Sequence, residues 1–189
     1  MINKIVLVVA GCLLAGQASA ERNELVLNLG LGYGINNQSV STWDVENQPA
    51  ASSDGLVGRV KVGVMTTPVD ALFVFGQASR MSYDNQEANI DTATLGLLGV
   101  GYTHYLESDI GSPFFSLGVA LSRFDADNGN DPIVNTGQAF LLETGYEAND
   151  HLQLSSIFMM SRMTDRDWYD DNFVDVANTS VIFNIELKL

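Results

Sequence analysis

The sequence predicts an all-β fold, an eight-stranded antiparallel up-and-down β-barrel, and three observations lead there. Apolar and polar residues alternate with a period of two in segment after segment, the pattern of strands with one apolar face. The connections between those segments alternate between short and long, as the two ends of a meander do. The chain of 189 residues also carries 17 glycines against four prolines, a load that suits a narrow barrel better than helices. This length fits one domain, and a composition 46% hydrophobic and 17% charged excludes intrinsic disorder. With 23 acidic residues against nine basic, the formal net charge is −14. That balance argues against a nucleic-acid partner, because phosphate neutralisation needs clustered Lys and Arg.

Residues 1–20 read as a signal peptide and 21–189 as the barrel domain. Lys4 supplies a positive start, Ile5 to Leu14 an apolar run, and Ala18-Ser19-Ala20 a small-residue cleavage pattern. The apolar run is roughly 15 Å long as a helix, too short for a hydrocarbon core of about 30 Å. Val9-Ala10-Gly11-Cys12 resembles a lipoprotein box, but its cysteine falls inside the apolar run. Cleavage after Ala20 removes Cys12, the only cysteine, and with it disulfide, zinc-thiolate and cysteine-nucleophile chemistry.

The first strand is the clearest. Leu25, Leu27, Leu29, Leu31 and Tyr33 alternate with Glu24, Asn28, Gly30, Gly32 and Gly34. In the second, Leu56, Val60, Val62 and Val64 face away from Arg59, Lys61 and Gly63. Residues 71–83 and 92–106 are strand-like without a readable facing, since Leu72-Phe73-Val74-Phe75 and Leu97-Leu98 are apolar on both parities. The fifth sets Phe115, Leu117, Val119 and Leu121 against Ser116, Gly118, Ala120 and Ser122. The sixth sets Phe140, Leu142 and Tyr146 against Ala139, Glu143 and Gly145. Leu152, Leu154, Phe158 and Met160 against Gln153, Ser155 and Ser161 make the seventh. Val181, Phe183, Ile185 and Leu187 against Ser180, Asn184, Glu186 and Lys188 make the eighth.

Pro68-Val69-Asp70, Glu107 to Pro113 and Ala148-Asn149-Asp150 are the short turns, while 35–54, 84–91, 125–135 and 164–174 are longer, polar and acidic. An even strand number lets the first and last strands close the sheet, leaving no edge for lipid to meet. A soluble lipocalin-like binder is the alternative with the same meander. The two differ in their second face, which a soluble barrel covers with Lys, Glu and Thr. Here that face is Gly, Ser, Ala and Asn, the content of a crowded lumen. Tyr33, Tyr83, Tyr102, Tyr105, Phe114, Phe115 and Tyr146 near strand ends fit interfacial girdles. The expectation is a transmembrane barrel with three short periplasmic turns and four longer extracellular loops.

The Gly-rich phrase Leu29-Gly30-Leu31-Gly32-Tyr33-Gly34, its echo Gly99-Val100-Gly101-Tyr102, the leader and the closing alternating strand carry a resemblance. The chain resembles the small outer-membrane β-barrels of Gram-negative bacteria. These include the transmembrane domain of outer-membrane protein A, the opacity proteins and the Ail/OmpX-like barrels. The resemblance implies outer-membrane lipid as surroundings, and recognition of the last strand by the barrel insertion machinery. Leu189 departs from the usual terminal Phe or Trp of that group. It also implies that loops carry adhesion and surface contacts, on a monomeric barrel.

The sequence offers three groups of site residues. Arg59, Lys61 and Glu143, with Glu24, Glu186 and Lys188 near the short-turn end, fall on the lumen parity. Buried charges need partners, so ion pairs that plug the lumen are expected, with Lys61 or Arg59 meeting Glu143 across it. A narrow ion or small-solute channel uses the same residues in the alternative reading. Asp125, Asp127 and Asp131 form one acidic loop cluster and Asp165, Asp167, Asp170 and Asp171 another, each able to hold divalent cations loosely. Neither is an EF-hand, since Thr136 stands where the twelfth ligand belongs. Trp43, Trp168, Tyr169 and Phe173 are aromatic anchors for a surface partner. Gly30-x-Gly32-x-Gly34 lacks the third glycine spacing and following helix of a nucleotide loop, and no cofactor is expected. No catalytic residues are expected either. Neither His104 nor His151 has the spacing to serine of a lipid A-modifying enzyme, and hydrolysis needs such a base.

Overall fold

The computed structural model describes residues 25–42, 51–83, 92–108, 111–127, 132–149, 151–166 and 173–189. They form a closed barrel of eight antiparallel strands. In chain order these are β1 Leu25–Thr42, β2 Ala51–Met65, β3 Asp70–Tyr83, β4 Thr92–Tyr105, β5 Pro113–Asp127, β6 Pro132–Asn149, β7 Leu152–Arg166 and β8 Phe173–Lys188. Each strand pairs with the next and β1 closes on β8, so that Leu31 lies opposite Gly58 on one side and Ile185 on the other. The closed ladder pairs the backbone amides and carbonyls of every strand with a neighbour, which an apolar solvent demands.

The three short connections lie at one end, with the N-terminal start of β1 and the end of β8. The first is held by Thr66, whose backbone N–H donates to the Asp70 carbonyl at 2.8 Å. In the second, Gly111 takes a φ of 87°, which glycine adopts without steric cost. The other four connections run through 43–50, 84–91, 128–131 and 167–172. The loops expected over 35–54, 125–135 and 164–174 are shorter than their polar composition implied. β1 and β2 stay paired as far as Gln38 opposite Ala51, β5 and β6 to Asp127 opposite Pro132, and β7 and β8 to Arg166 opposite Phe173. Ladder pairing uses backbone groups alone, so polar segments extend a hairpin past the apolar band.

Burial alternates residue by residue around the barrel. The outer face exposes Leu31, Leu56, Leu98, Val119, Phe183 and Ile185, each more than half exposed. An apolar exterior of this kind is stable only against hydrocarbon. The structure also settles the two strands whose parity the sequence left open. Phe73 and Phe75 of β3 and Leu95 and Leu97 of β4 point inward, while Leu72, Val74, Leu98 and Val100 face out.

The lumen is therefore less polar than its sequence pattern implied. A cluster including Phe75, Met81, Leu95, Phe124, Ile157, Met159 and Met163 is buried inside it. Tyr105 and Phe114 also turn inward, with ring centroids 5.7 Å apart, and do not join the outer girdle expected of them. The big rings fit because glycines face them. A Cβ at Gly101 would lie 2.3 Å from the Phe73 ring and 2.8 Å from the Leu117 carbonyl, and one at Gly99 would lie 2.7 Å from Phe75. Gly101→Ala is accordingly expected to destabilise by about 1–3 kcal/mol, read as a shift of the urea midpoint in micelles. Adding Phe73→Leu should restore part of the loss.

Candidate functional site

Period-two alternation turns Asn28, Arg59, Lys61, Glu143, Gln153 and Glu186 into the lumen, all at least nine-tenths buried. They come from five strands and meet toward the short-turn end. Lys61 Nζ donates to Glu143 Oε2 at 2.9 Å and lies 2.9 Å from Glu186 Oε2. Arg59 Nη1 reaches Glu143 Oε2 at 3.2 Å and stands 4.0 Å from Glu186 Oε1. Two cations and two carboxylates thus interlock with no net charge.

Amides complete the shell around Glu186. Asn28 Nδ2 donates to Glu186 Oε2 at 3.0 Å and approaches Gln153 Oε1 at 3.1 Å, while Asn184 Nδ2 donates to Glu186 Oε1 at 2.8 Å. Gln153 Nε2 in turn donates to the Tyr105 hydroxyl at 2.9 Å. Above the ions, the Arg59 guanidinium carbon sits 4.9 Å from the Phe75 ring centre, and Lys61 Nζ sits 5.4 Å from that of Phe73. The apolar cluster of Phe75, Ile157 and Met159 follows directly toward the long-loop end. Beyond it, Ser180 donates to Asn36 Oδ1 at 2.5 Å and Asn178 Nδ2 donates to Ser180 Oγ at 2.9 Å.

Lys188 contacts Glu147 at the lower mouth, and Glu24 lies outside the described residues. The loop candidates are mostly outside them too. Trp43, Trp168, Tyr169, Asp131, Asp167, Asp170 and Asp171 are not among the described residues, nor are the side chains of Asp127, Asp165 and Phe173. Asp125 is described, and its carboxylate accepts three hydrogen bonds from Arg123 Nε and Nη2 at 3.0–3.2 Å. Among the described residues no three His, Cys, Asp or Glu side chains are grouped as a metal site.

One ionisable cluster sits outside the lumen, at the first short turn. His104 Nδ1 lies 2.8 Å from Asp70 Oδ1, Thr67 donates to Asp70 Oδ2 at 2.6 Å, and the Tyr102 hydroxyl also donates to Asp70. These donors, His104 foremost, lower the Asp70 carboxyl to about 2. A lowered carboxyl stabilises the turn above the ordinary Asp range, and that contribution disappears as pH falls toward 2. Acid titration should therefore loosen this turn near pH 2–4 in the wild type but not in Asp70→Asn, seen as exchange of the Thr66 and Tyr105 amides.

Inward parity was readable for Arg59, Lys61, Glu143 and Glu186. Asn28 and Gln153 were placed on the lumen face but not among the site residues, because neutral amides carry no sequence signal of their own, and Tyr105, on a strand of unreadable facing, was assigned to the girdle.

No protein-family model matches the sequence, and no curated protein sequence does. Solved structures do match. Neisserial surface protein A aligns with a TM-score of 0.53 at 13% identity, covering 85% of this chain and 97% of its own. The outer membrane protein AlkL, solved in lipid bilayers, aligns with a TM-score of 0.53 at 14% identity, covering 90% and 93%. At such identities the likeness is one of fold. The chain has the fold of the small eight-stranded outer-membrane β-barrels.

Proposed function

We propose that this protein is a non-enzymatic resident of the bacterial outer membrane whose lumen is plugged and whose work is done at its extracellular surface. That work is surface attachment, partner contact or envelope integrity. The observation that carries the reading is the neutral Arg59–Lys61–Glu143–Glu186 quartet backed by the apolar layer of Phe75, Ile157 and Met159. An ion crossing the lumen has to separate buried pairs and then lose its hydration against hydrocarbon, and each step is costly. An interior of eight strands filled by side chains supports the same conclusion.

The test is conductance of the refolded barrel, without residues 1–20, in a planar lipid bilayer. Stable insertion without unitary current is expected. Defined steps altered by Lys61→Met or Glu143→Gln would overturn the plugged reading and make those residues the selectivity filter.

A further inference from the structure

We infer that the upper lumen holds a binding site for a small, neutral, polyhydroxylated solute, a polyol or monosaccharide that enters from the long-loop end. The site is a dead end, and it takes from the proposed function only the apolar floor beneath it.

Strand stagger builds the site. Following partner to partner from Leu31 once round the barrel leads to Ser41, ten residues further along β1. Crossing two strands therefore climbs about two and a half residues. Ser79 of β3 leads through Leu95 to Phe124 of β5, and Ser122 stands two residues below Phe124. Ser122 leads in turn through Gly137 to Met163 of β7, and Ser161 stands two residues below Met163. The three serines consequently share one level. Ser180 of β8 joins them, two residues below the Asn178 that faces Ser161. Gly34, Gly55 and Ala139 supply the gaps between, so Leu95 is the one large side chain of this layer. Leu97 and Met159, both buried, floor it two residues nearer the ion quartet. Met81, Phe124 and Met163 stand two residues above the three serines and roof it.

The hydroxyls of Ser79, Ser122 and Ser161 are buried, at 2–5% exposure, and among the described residues none has a hydrogen-bond partner. Ser180 is the contrast, since it donates to Asn36 and accepts from Asn178. Toward the mouth, Asn135 is fully buried with both Oδ1 and Nδ2 unpartnered, and Asn178 Oδ1 is unpartnered too. Buried polar groups cost free energy until something bonds them. These are all neutral, and among the described residues no charged side chain faces the lumen at this level. A charged solute would lose its hydration here without compensation. An apolar one would leave the hydroxyls unbonded. Vicinal hydroxyls, each a donor and an acceptor, match the set. The two methionines of the roof are unbranched and adaptable, which suits an entrance that must repack around its solute.

The test is an NMR titration of the refolded barrel, without residues 1–20, in dodecylphosphocholine micelles, which carry no sugar. Glucose and myo-inositol are the probes, and the side-chain amide signals of Asn135 and Asn178 are the readout. Both probes should give saturable shifts, at least tenfold tighter than cyclohexanol or glucuronate. Ser79→Ala/Ser122→Ala/Ser161→Ala should weaken binding at least tenfold while its urea midpoint stays no lower than that of the wild type. Ala139→Leu fills the layer and should abolish the shifts without removing a polar group. Heat-dependent gel mobility verifies that each variant is folded. Shifts that never saturate, or that cyclohexanol reproduces, would overturn the proposal. So would unchanged binding in both variants, or a large drop in the urea midpoint of the triple variant, since internal water would then be the partner of these hydroxyls. Binding is read without current, so a barrel that conducts and still binds would overturn the plugged lumen and not this site.

Discussion

Glu143→Leu is expected to destabilise the barrel by about 3–5 kcal/mol, the usual cost of leaving a buried charge without its partner. Glu143 accepts from both Lys61 and Arg59, so its loss leaves two cations facing one carboxylate at 1–4% side-chain exposure. Lys61→Met leaves the opposite imbalance, with Glu143 and Glu186 facing Arg59 alone. Lys61→Met/Glu143→Leu restores neutrality, with Arg59 and Glu186 still 4.0 Å apart. The double variant should therefore lie closer to the wild type than the sum of the two single losses. Urea unfolding in lipid micelles, followed by gel mobility, gives the coupling from the four midpoints. Simple additivity would remove the interlocked quartet as a source of stability, and with it the main support for a plugged lumen.

Arginine at Val181 or Phe183 is expected to destabilise by about 2–4 kcal/mol, because a charge held at mid-membrane depth loses its hydration. Both side chains face outward, at 40% and 57% exposure, and lie in the middle of β8 beside Phe158 and Ser156 of β7. Ala177 supplies the internal control. It shares a ladder position with Arg162, and an arginine already stands at that height. Ala177→Arg should cost no more than about 1 kcal/mol, the value for substitutions near the interface. The same urea assay measures all three. Equal and small losses at 177, 181 and 183 would mean that the outer face does not meet lipid.

The fold was legible because a period of two survives any tertiary arrangement. Once Leu25 to Tyr33 and Val181 to Leu187 alternate, each strand has an apolar face, and an even number of such strands closes without edges. Parity alone also put Arg59, Lys61, Glu143 and Glu186 on the inward side. It failed where both parities are apolar. Leu72-Phe73-Val74-Phe75 faces lipid with one pair and fills the lumen with the other, and hydrophobicity does not tell hydrocarbon from a packed interior.

What the sequence determined by itself is strand number, strand type and the inward side of most strands, all of them properties of adjacent residues. Tertiary structure decided which atoms meet. The stagger of the closed barrel brings Lys61 of β2 against Glu143 of β6, 82 residues away, and leaves Lys188 to Glu147. It also brings Ile157, Met159 and Phe75, distant in sequence, into one buried apolar cluster inside the barrel. Ring size and strand stagger set these distances, and both are properties of the whole closed sheet. No single segment contains them.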